Sequence, residues 1–310
     1  MKVLYVCSAA RCGSTLTDMF LGGHPKAASL GEINFLAKAI MLGEQCSCGA
    51  TVRDCAHWQA VYGRLAKSGF DLQRPYRYRL WDAVAWNSVD KEHQTRLFLA
   101  GVRVRGAWMS ARDLLPTSLR NAFPMPPAFN DALANKWHLY EAVSDAWGKE
   151  LVVDSSKHVR EAVELYRRHP QSVRILLLTR DGRGVYLSRR STGRGRQESV
   201  RGWSTYYARA LELLDRNVPP ESRMQLKYEE IASNPERFGE TLCHFVGLDF
   251  QPSMLKLDSV VRHMVNGNAT RFRPGKGITL DERWRQDLQP AEAAFFEAHG
   301  GRMNAVLGYH

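Results

Sequence analysis

The sequence predicts an α/β fold, a parallel sheet flanked by helices, on three observations. First, residues 2–7 (KVLYVC) and 173–179 (VRILLLT) are short, near-continuous apolar runs, the pattern of strands buried on both faces. Second, each run passes through a polar turn into a helical pattern, and the same rhythm returns at 150–154 and 223–228. Third, the turns after the two strongest strands combine Arg with small hydroxyl residues. That composition binds anions, and open α/β sheets bind ligands at the C-terminal ends of their strands.

Taken in order, the first strand ends at Cys7, and residues 8–15 (SAARCGST) make the first turn. Ser8, Gly13, Ser14 and Thr15 are small enough to let the backbone approach a ligand. A helix opening near Gly13 would aim free N–H groups and its positive dipole end at an anion. Pro25 closes that helix, because the residue before a proline avoids helical geometry. Residues 27–30 form a weak strand, and Gly31-Glu32 opens a helix through 42. Between 58 and 147 the pattern becomes helical, broken by Pro116, Pro124, Pro126 and Pro127, and six of the eight tryptophans fall there. Residues 60–148 are therefore expected to be a helical insertion covering the acceptor side. Most of its aromatics would form its own core, and a few would face the acceptor. A strand at 150–154, a helix to about 168 and the strand 173–179 follow. A helix over 197–216 has Trp203, Tyr206 and Leu211 on its apolar side. Beyond the strand 223–228, a helix runs from Pro235 to Gly247, a loop rich in Gly and basic residues spans 266–277, and a last helix runs 290–299 and ends at Gly300-Gly301. One domain, 1–310, accommodates all of it.

Lys and Arg outnumber Asp and Glu by 43 to 32, a formal charge of +11 over 310 residues, which favours an anionic ligand without choosing one. No apolar run approaches a membrane span, and the strand at 2–7 leads straight into the first turn, so a cytoplasmic protein without a leader is expected. Of the six cysteines, Cys7 and Cys243 lie in apolar segments and read as packed small hydrophobes. Cys46, Cys48 and Cys55 stand close together, with His57 two residues on. A tetrahedral zinc site, a disulfide from Cys55 to Cys46 or Cys48, and a reduced packed loop are the three readings, and the reduced loop without metal is preferred.

The first turn is not a Walker A loop, since Gly13 is followed by Ser14 and the position five residues earlier is Ser8, not Gly. It is not the C-x5-R turn of a low-molecular-weight tyrosine phosphatase either, because Gly13 stands where the phosphate-clamping Arg belongs. Residues 11–16 (RCGSTL), with His24-Pro25 and Gly31-Glu32, resemble the 5′-phosphosulfate loop of sulfotransferases that use 3′-phosphoadenylyl sulfate (PAPS). The likeness is to the bacterial, Golgi and tyrosylprotein branches, whose loop reads R-S-G-[ST]-T-L, with Cys12 replacing a Ser. Three further motifs extend the resemblance over most of the chain outside 60–148: D-S-S-K at 154–157, R-D-x-R-x-V-x-x-S at 180–188, and Y-E-E-I-x-x-N-P at 228–235.

The resemblance implies a P-loop NTPase-like sulfotransferase fold and PAPS as co-substrate, with no metal expected, because a sulfuryl group carries less charge than a phosphoryl group. Arg11, Cys12, Gly13, Ser14 and Thr15 would hold the 5′ end, Arg180 and Ser188 the 3′-phosphate, and Tyr228 the adenine. Arg271 or Arg273 would close over the nucleotide. Arg11 and Lys157 would stabilise charge on the transferred group, and the base is Glu32 in preference to His158, since His158 directly follows Lys157 where cytosolic relatives place the His two residues on. The expected acceptor is a small molecule, peptide or glycan, with no nucleic-acid or membrane partner; oligomeric state stays open. A P-loop small-molecule kinase and a nucleic-acid-binding protein are the alternatives, distinguished by a Mg²⁺ requirement and by steep salt dependence.

Overall fold

A computed structural model describes residues 1–81, 96–115, 117–120, 122–258, 260–272 and 278–310. Five strands, β1 (Lys2–Cys7), β2 (Ala27–Ser29), β3 (Leu151–Asp154), β4 (Val173–Thr179) and β5 (Arg223–Lys227), form one sheet in the order β2-β3-β1-β4-β5. Every pairing is parallel. β1 lies at the centre, with Val3 opposite both Val152 and Val173.

Because side chains alternate across a strand, the central strand feeds two cores. Val3, Tyr5 and Cys7 join Val152, Ile175 and Leu177 on one face, against Trp58, Tyr140 and Trp203. Leu4 and Val6 join Val153, Leu176 and Leu178 on the other, against Phe20, Phe238 and Leu242. This double burial is why the strand sequences are apolar throughout.

The segment 60–148 is helical among its described residues, with helices Arg96–Leu114, Thr117–Arg120 and Pro127–Trp147. Several of its aromatics build core with Trp58: Trp58 stacks on Tyr62 and Tyr62 on Phe70, centroids 6.1 and 5.2 Å apart, and Phe70 meets Tyr78 edge to face at 5.5 Å. Trp86 lies outside the described residues.

Helix Arg196–Asn217 buries Trp203, Tyr207, Ala210, Leu213 and Leu214, with Tyr206 and Leu211 partly buried against the same core, as expected. One element differs from expectation. The last helix, Pro290–Val306, does not stop at Gly300-Gly301 but runs through it. At Gly300 a Cβ would lie 2.9 Å from the Phe296 ring and 3.1 Å from Val200. The glycine there permits close helix packing, and tertiary burial outweighs its poor helix propensity.

Candidate active site

All five strands deliver a residue to one cavity just beyond their last position. Its volume is about 950 Å³, and its wall includes Arg11 after β1, Glu32 after β2, Lys157 after β3, Arg180 after β4 and Tyr228 after β5. The sheet thus gathers side chains more than 200 residues apart in sequence.

The first turn is built as the sequence predicts. Gly13 precedes helix Ser14–Leu21 in the left-handed conformation (φ 88°), and Thr17 N donates to Gly13 O at 3.0 Å. Gly is required twice over here, since an added Cβ would also fall 2.4 Å from Tyr228 Cδ2. Ser14 and Thr15 line the cavity. Thr15 Oγ1 accepts from Asn268 N at 3.1 Å, tying the later loop to the turn. Cys12 departs from the expectation of a ligand contact. It is fully buried, receives a hydrogen bond from Tyr207 Oη at 3.2 Å, and is absent from the cavity wall. Burial pushes its thiol up to about 11, so it behaves as a packed apolar side chain.

The second anion site is assembled from two motifs. Arg11 Nε donates to Ser188 Oγ at 2.7 Å, and Arg180 Nη1 donates to the carbonyl of Arg11 at 3.1 Å. Arg180 also lies over the Tyr228 ring, 4.5 Å from its centroid, and pairs with Asp281 at 3.2 Å. Arg283 and Arg180 together hold the Asp281 carboxyl well below the usual carboxylate range. Arg180, Ser188, Tyr228 and Arg11 therefore converge as their motifs imply.

Lys157 and Glu32 face each other, with Lys157 Nζ donating to Glu32 Oε1 at 2.5 Å and both side chains less than one-fifth exposed. Lys157 has φ 72° and Arg11 φ 75°, left-handed backbone at two non-glycine residues of the same wall. The Lys157 turn is held from beneath. Ser156 N donates to Asp154 Oδ1 at 2.7 Å, Tyr140 Oη donates to Asp154 Oδ2 at 2.5 Å, and Tyr206 Oη donates to the Lys157 carbonyl at 2.7 Å. Asp18, on the helix that follows the first turn, accepts from Ser29 Oγ at 3.1 Å and from Ser155 Oγ. Burial pushes its carboxyl up to about 7, against those two hydroxyls.

His158 is not part of the cavity wall. Its ring packs 4.5 Å from Trp81, and burial pushes its imidazole down to about 4. Arg271 is also elsewhere: its guanidinium donates to the carbonyls of Gly267 (2.7 Å) and Gln45 (3.3 Å), fastening the loop to the Cys46 turn. Arg273 lies outside the described residues. A further basic residue of the wall is Arg283, whose Nε donates to Asp281 Oδ1 at 2.8 Å; the sequence reading missed both. No motif marks either, and only their return to the Arg180 side in space identifies them.

Comparison with known proteins identifies the family and the fold. A model of the sulfotransferase family matches residues 4–252. Among solved structures, a sulfotransferase domain from the Synechococcus PCC 7002 olefin synthase superposes with TM-score 0.58 at 18% identity, covering 99% of this chain and 94% of that one. A sulfotransferase domain from the curacin biosynthetic pathway gives TM-score 0.54 at 16% identity, covering 100% and 98%. At those identities the superpositions establish the fold. A search of curated proteins gives no match. With its family match spanning four-fifths of the sequence and its fold that of sulfotransferase domains, the P-loop NTPase-like fold, the chain belongs to the sulfotransferase family.

Proposed function

We propose that the protein transfers the sulfuryl group of PAPS to a hydroxyl or amine of a small-molecule, peptide or glycan acceptor. The observation that carries the reading is the joining of Arg180, Ser188 and Arg11 beside the Gly13 turn in one cavity. A guanidinium at the end of β4, next to a helix hydroxyl, suits a 3′-phosphate, the group that separates PAPS from ATP. The N–H groups at the start of helix Ser14–Leu21 suit the 5′-phosphosulfate.

In this reading the acceptor oxygen or nitrogen attacks sulfur in line, and the bond from sulfur to the 5′-phosphate oxygen breaks. Charge develops on that leaving oxygen, and donors aimed there lower the barrier. Arg11, Lys157 and the turn N–H groups take that role. Lys157 now holds Glu32; on donor binding it exchanges that carboxylate for the transferred group, which leaves Glu32 free to accept the acceptor's proton. Asp281 yields Arg180 to the 3′-phosphate in the same way.

The test is thermal stabilisation by adenosine 3′,5′-bisphosphate (PAP), ADP, ATP·Mg²⁺ and a random oligonucleotide, since a ligand that binds only the native state raises Tm with occupancy. PAP is expected to give the largest shift, and Arg180→Ala to erase its advantage over ADP, a loss of about 1.5–3 kcal/mol. Equal shifts by PAP and ADP would end the PAPS reading. A dominant ATP·Mg²⁺ shift would point to a kinase, and a dominant oligonucleotide shift to nucleic-acid binding.

A further inference from the structure

The three clustered cysteines have a fourth neighbour that the sequence does not reveal. His57, two residues after Cys55, is not that neighbour: its exposed ring stacks on the outer face of His263, centroids 3.6 Å apart. His263 itself turns Nδ1 towards the thiols, 3.2 Å from Cys55 Sγ and 3.9 Å from Cys46 Sγ, while Cys48 Sγ is 3.7 Å from Cys55 Sγ. The four atoms all lie within 4.8 Å of one another. A tetrahedral zinc ion with Zn–S of about 2.3 Å and Zn–N of about 2.0 Å places its ligand atoms roughly 3.5–3.8 Å apart. The four atoms are thus gathered to within about 1 Å of that spacing, and all six cysteines of the chain are free.

From this geometry we infer that Cys46, Cys48, Cys55 and His263 form a structural zinc site, closed by four protein ligands and distinct from the active-site cavity. The backbone around it is prepared for that use. Cys46 N donates to Ala50 O at 2.8 Å and Gly49 N to Cys46 O at 2.9 Å, closing a tight turn that presents Cys46 and Cys48 to one point. Gly49 takes φ 95° there. Cys55 sits at the start of helix Ala56–Leu65, its N–H bonded to Thr51 O at 2.9 Å. Ser47 Oγ donates to Arg262 O at 2.7 Å and accepts from Met264 N at 2.8 Å, so the residues flanking His263 are clamped to the cysteine turn. Trp58 Nε1 donates to the His263 carbonyl at 2.9 Å. Four ligands leave no open position for substrate, which makes the role structural.

The site's location says what it holds. Val265, two residues from His263, pairs with Gly31: Val265 N donates to Leu30 O at 2.8 Å, and Glu32 N donates to Val265 O at 2.9 Å. Gly267 and Asn268 follow in the cavity wall. A metal joining residues 46–55 to 263 staples the late segment that positions Glu32 to the early half of the chain. Such a staple closes a loop of more than 200 residues.

The experiment is metal analysis of the full-length protein, purified without chelator from zinc-supplemented medium. One zinc per chain is expected, retained by His57→Ala and Cys243→Ser, and lost or strongly reduced in Cys48→Ser. His263→Cys should keep the metal, since thiolate replaces imidazole as a ligand. Protein produced in cobalt-supplemented medium should show the intense visible bands of tetrahedral, thiolate-ligated Co²⁺, a readout that requires no variant to fold. Chelation of the wild-type protein should release the zinc and lower Tm. Less than a tenth of an equivalent of metal in the wild-type protein would overturn the inference. So would a disulfide among these cysteines by mass spectrometry of the intact chain, or zinc that follows His57 and survives Cys48→Ser.

Discussion

Glu32 and Lys157 meet in the cavity wall while His158, the neighbour of Lys157, turns away to Trp81. This division supports the proposal that Glu32 is the base. Glu32→Gln should lower kcat by about 10²–10⁴-fold with PAP affinity intact, whereas His158→Ala should cost less than about tenfold. Steady-state kinetics paired with PAP titration checks the ranking, and the reverse order would move the role to His158. For Arg11→Ala and Lys157→Ala, kcat should fall far more than PAP affinity. A variant that loses affinity but keeps kcat marks a residue that only positions the donor. At this scale the site was legible wherever a residue sits just beyond a strand: Arg11, Glu32, Lys157, Arg180 and Tyr228 all reach the cavity. It was illegible where orientation or return in space decides. Cys12 lies inside the motif yet faces Tyr207, because the turn rotates it into the core. Arg283 carries no motif and lines the wall, while Arg271, in the more suggestive basic loop, holds backbone carbonyls instead.

Helix Ser14–Leu21 is joined to the Lys157 turn through Asp18, whose carboxyl keeps its proton up to about pH 7 in the fold against an ordinary value of 3.8. The sign of its effect follows. Below about pH 4 both folded and unfolded chains hold the proton, and the contribution to stability is complete. As pH rises through about 7 the buried group must ionise or the chain must give up the preference, so this stability is lost. Asp18→Asn should remove that loss, and its gain over the wild type in urea denaturation should be larger at pH 8 than at pH 5. A gain equal at both pH values would mean that Asp18 is ionised throughout. The first turn is equally specific: Gly13→Ala combines a left-handed backbone with a clash at Tyr228, and should abolish PAP stabilisation in a melting assay while leaving the protein folded. Retained PAP binding would show that the Tyr228 ring can move aside. Elements were readable from apolar runs and turn residues, and the misjudged helix end is instructive. Gly300-Gly301 has the local signature of a stop, but Phe296 and Val200 close on Gly300 so tightly that only a glycine fits. Local propensity had no access to that packing.

Across the molecule, the helices between 56 and 147 share one buried cluster with the sheet: Trp58, Leu133 and Tyr140 pack with Tyr5 and Val152. A single cooperative calorimetric transition is therefore expected for the protein, and a separate transition for the helices between 56 and 147 would contradict it. The parallel sheet and its order of elements could be read because each strand is buried on both faces and each turn is punctuated. The insertion could be read only as helical, since its aromatics at helical spacing look alike whether they pack inward or face a substrate. The pairing of His263 with the cysteines was invisible for a simpler reason: 208 residues separate it from Cys55, and only the folded chain brings them together.

The left-handed backbone at Arg11 and Lys157 sets a conflict between heat tolerance and turnover. At an ordinary exposed position glycine is the less stable choice; here Lys157→Gly should be more stable than Lys157→Ala by about 1 kcal/mol, because alanine keeps the strained φ and glycine relieves it. Both variants should be inactive. A laboratory selection for thermal survival alone would thus be drawn towards glycine at the two positions proposed to carry sulfuryl transfer. Only a selection that also demands product would keep the arginine and the lysine.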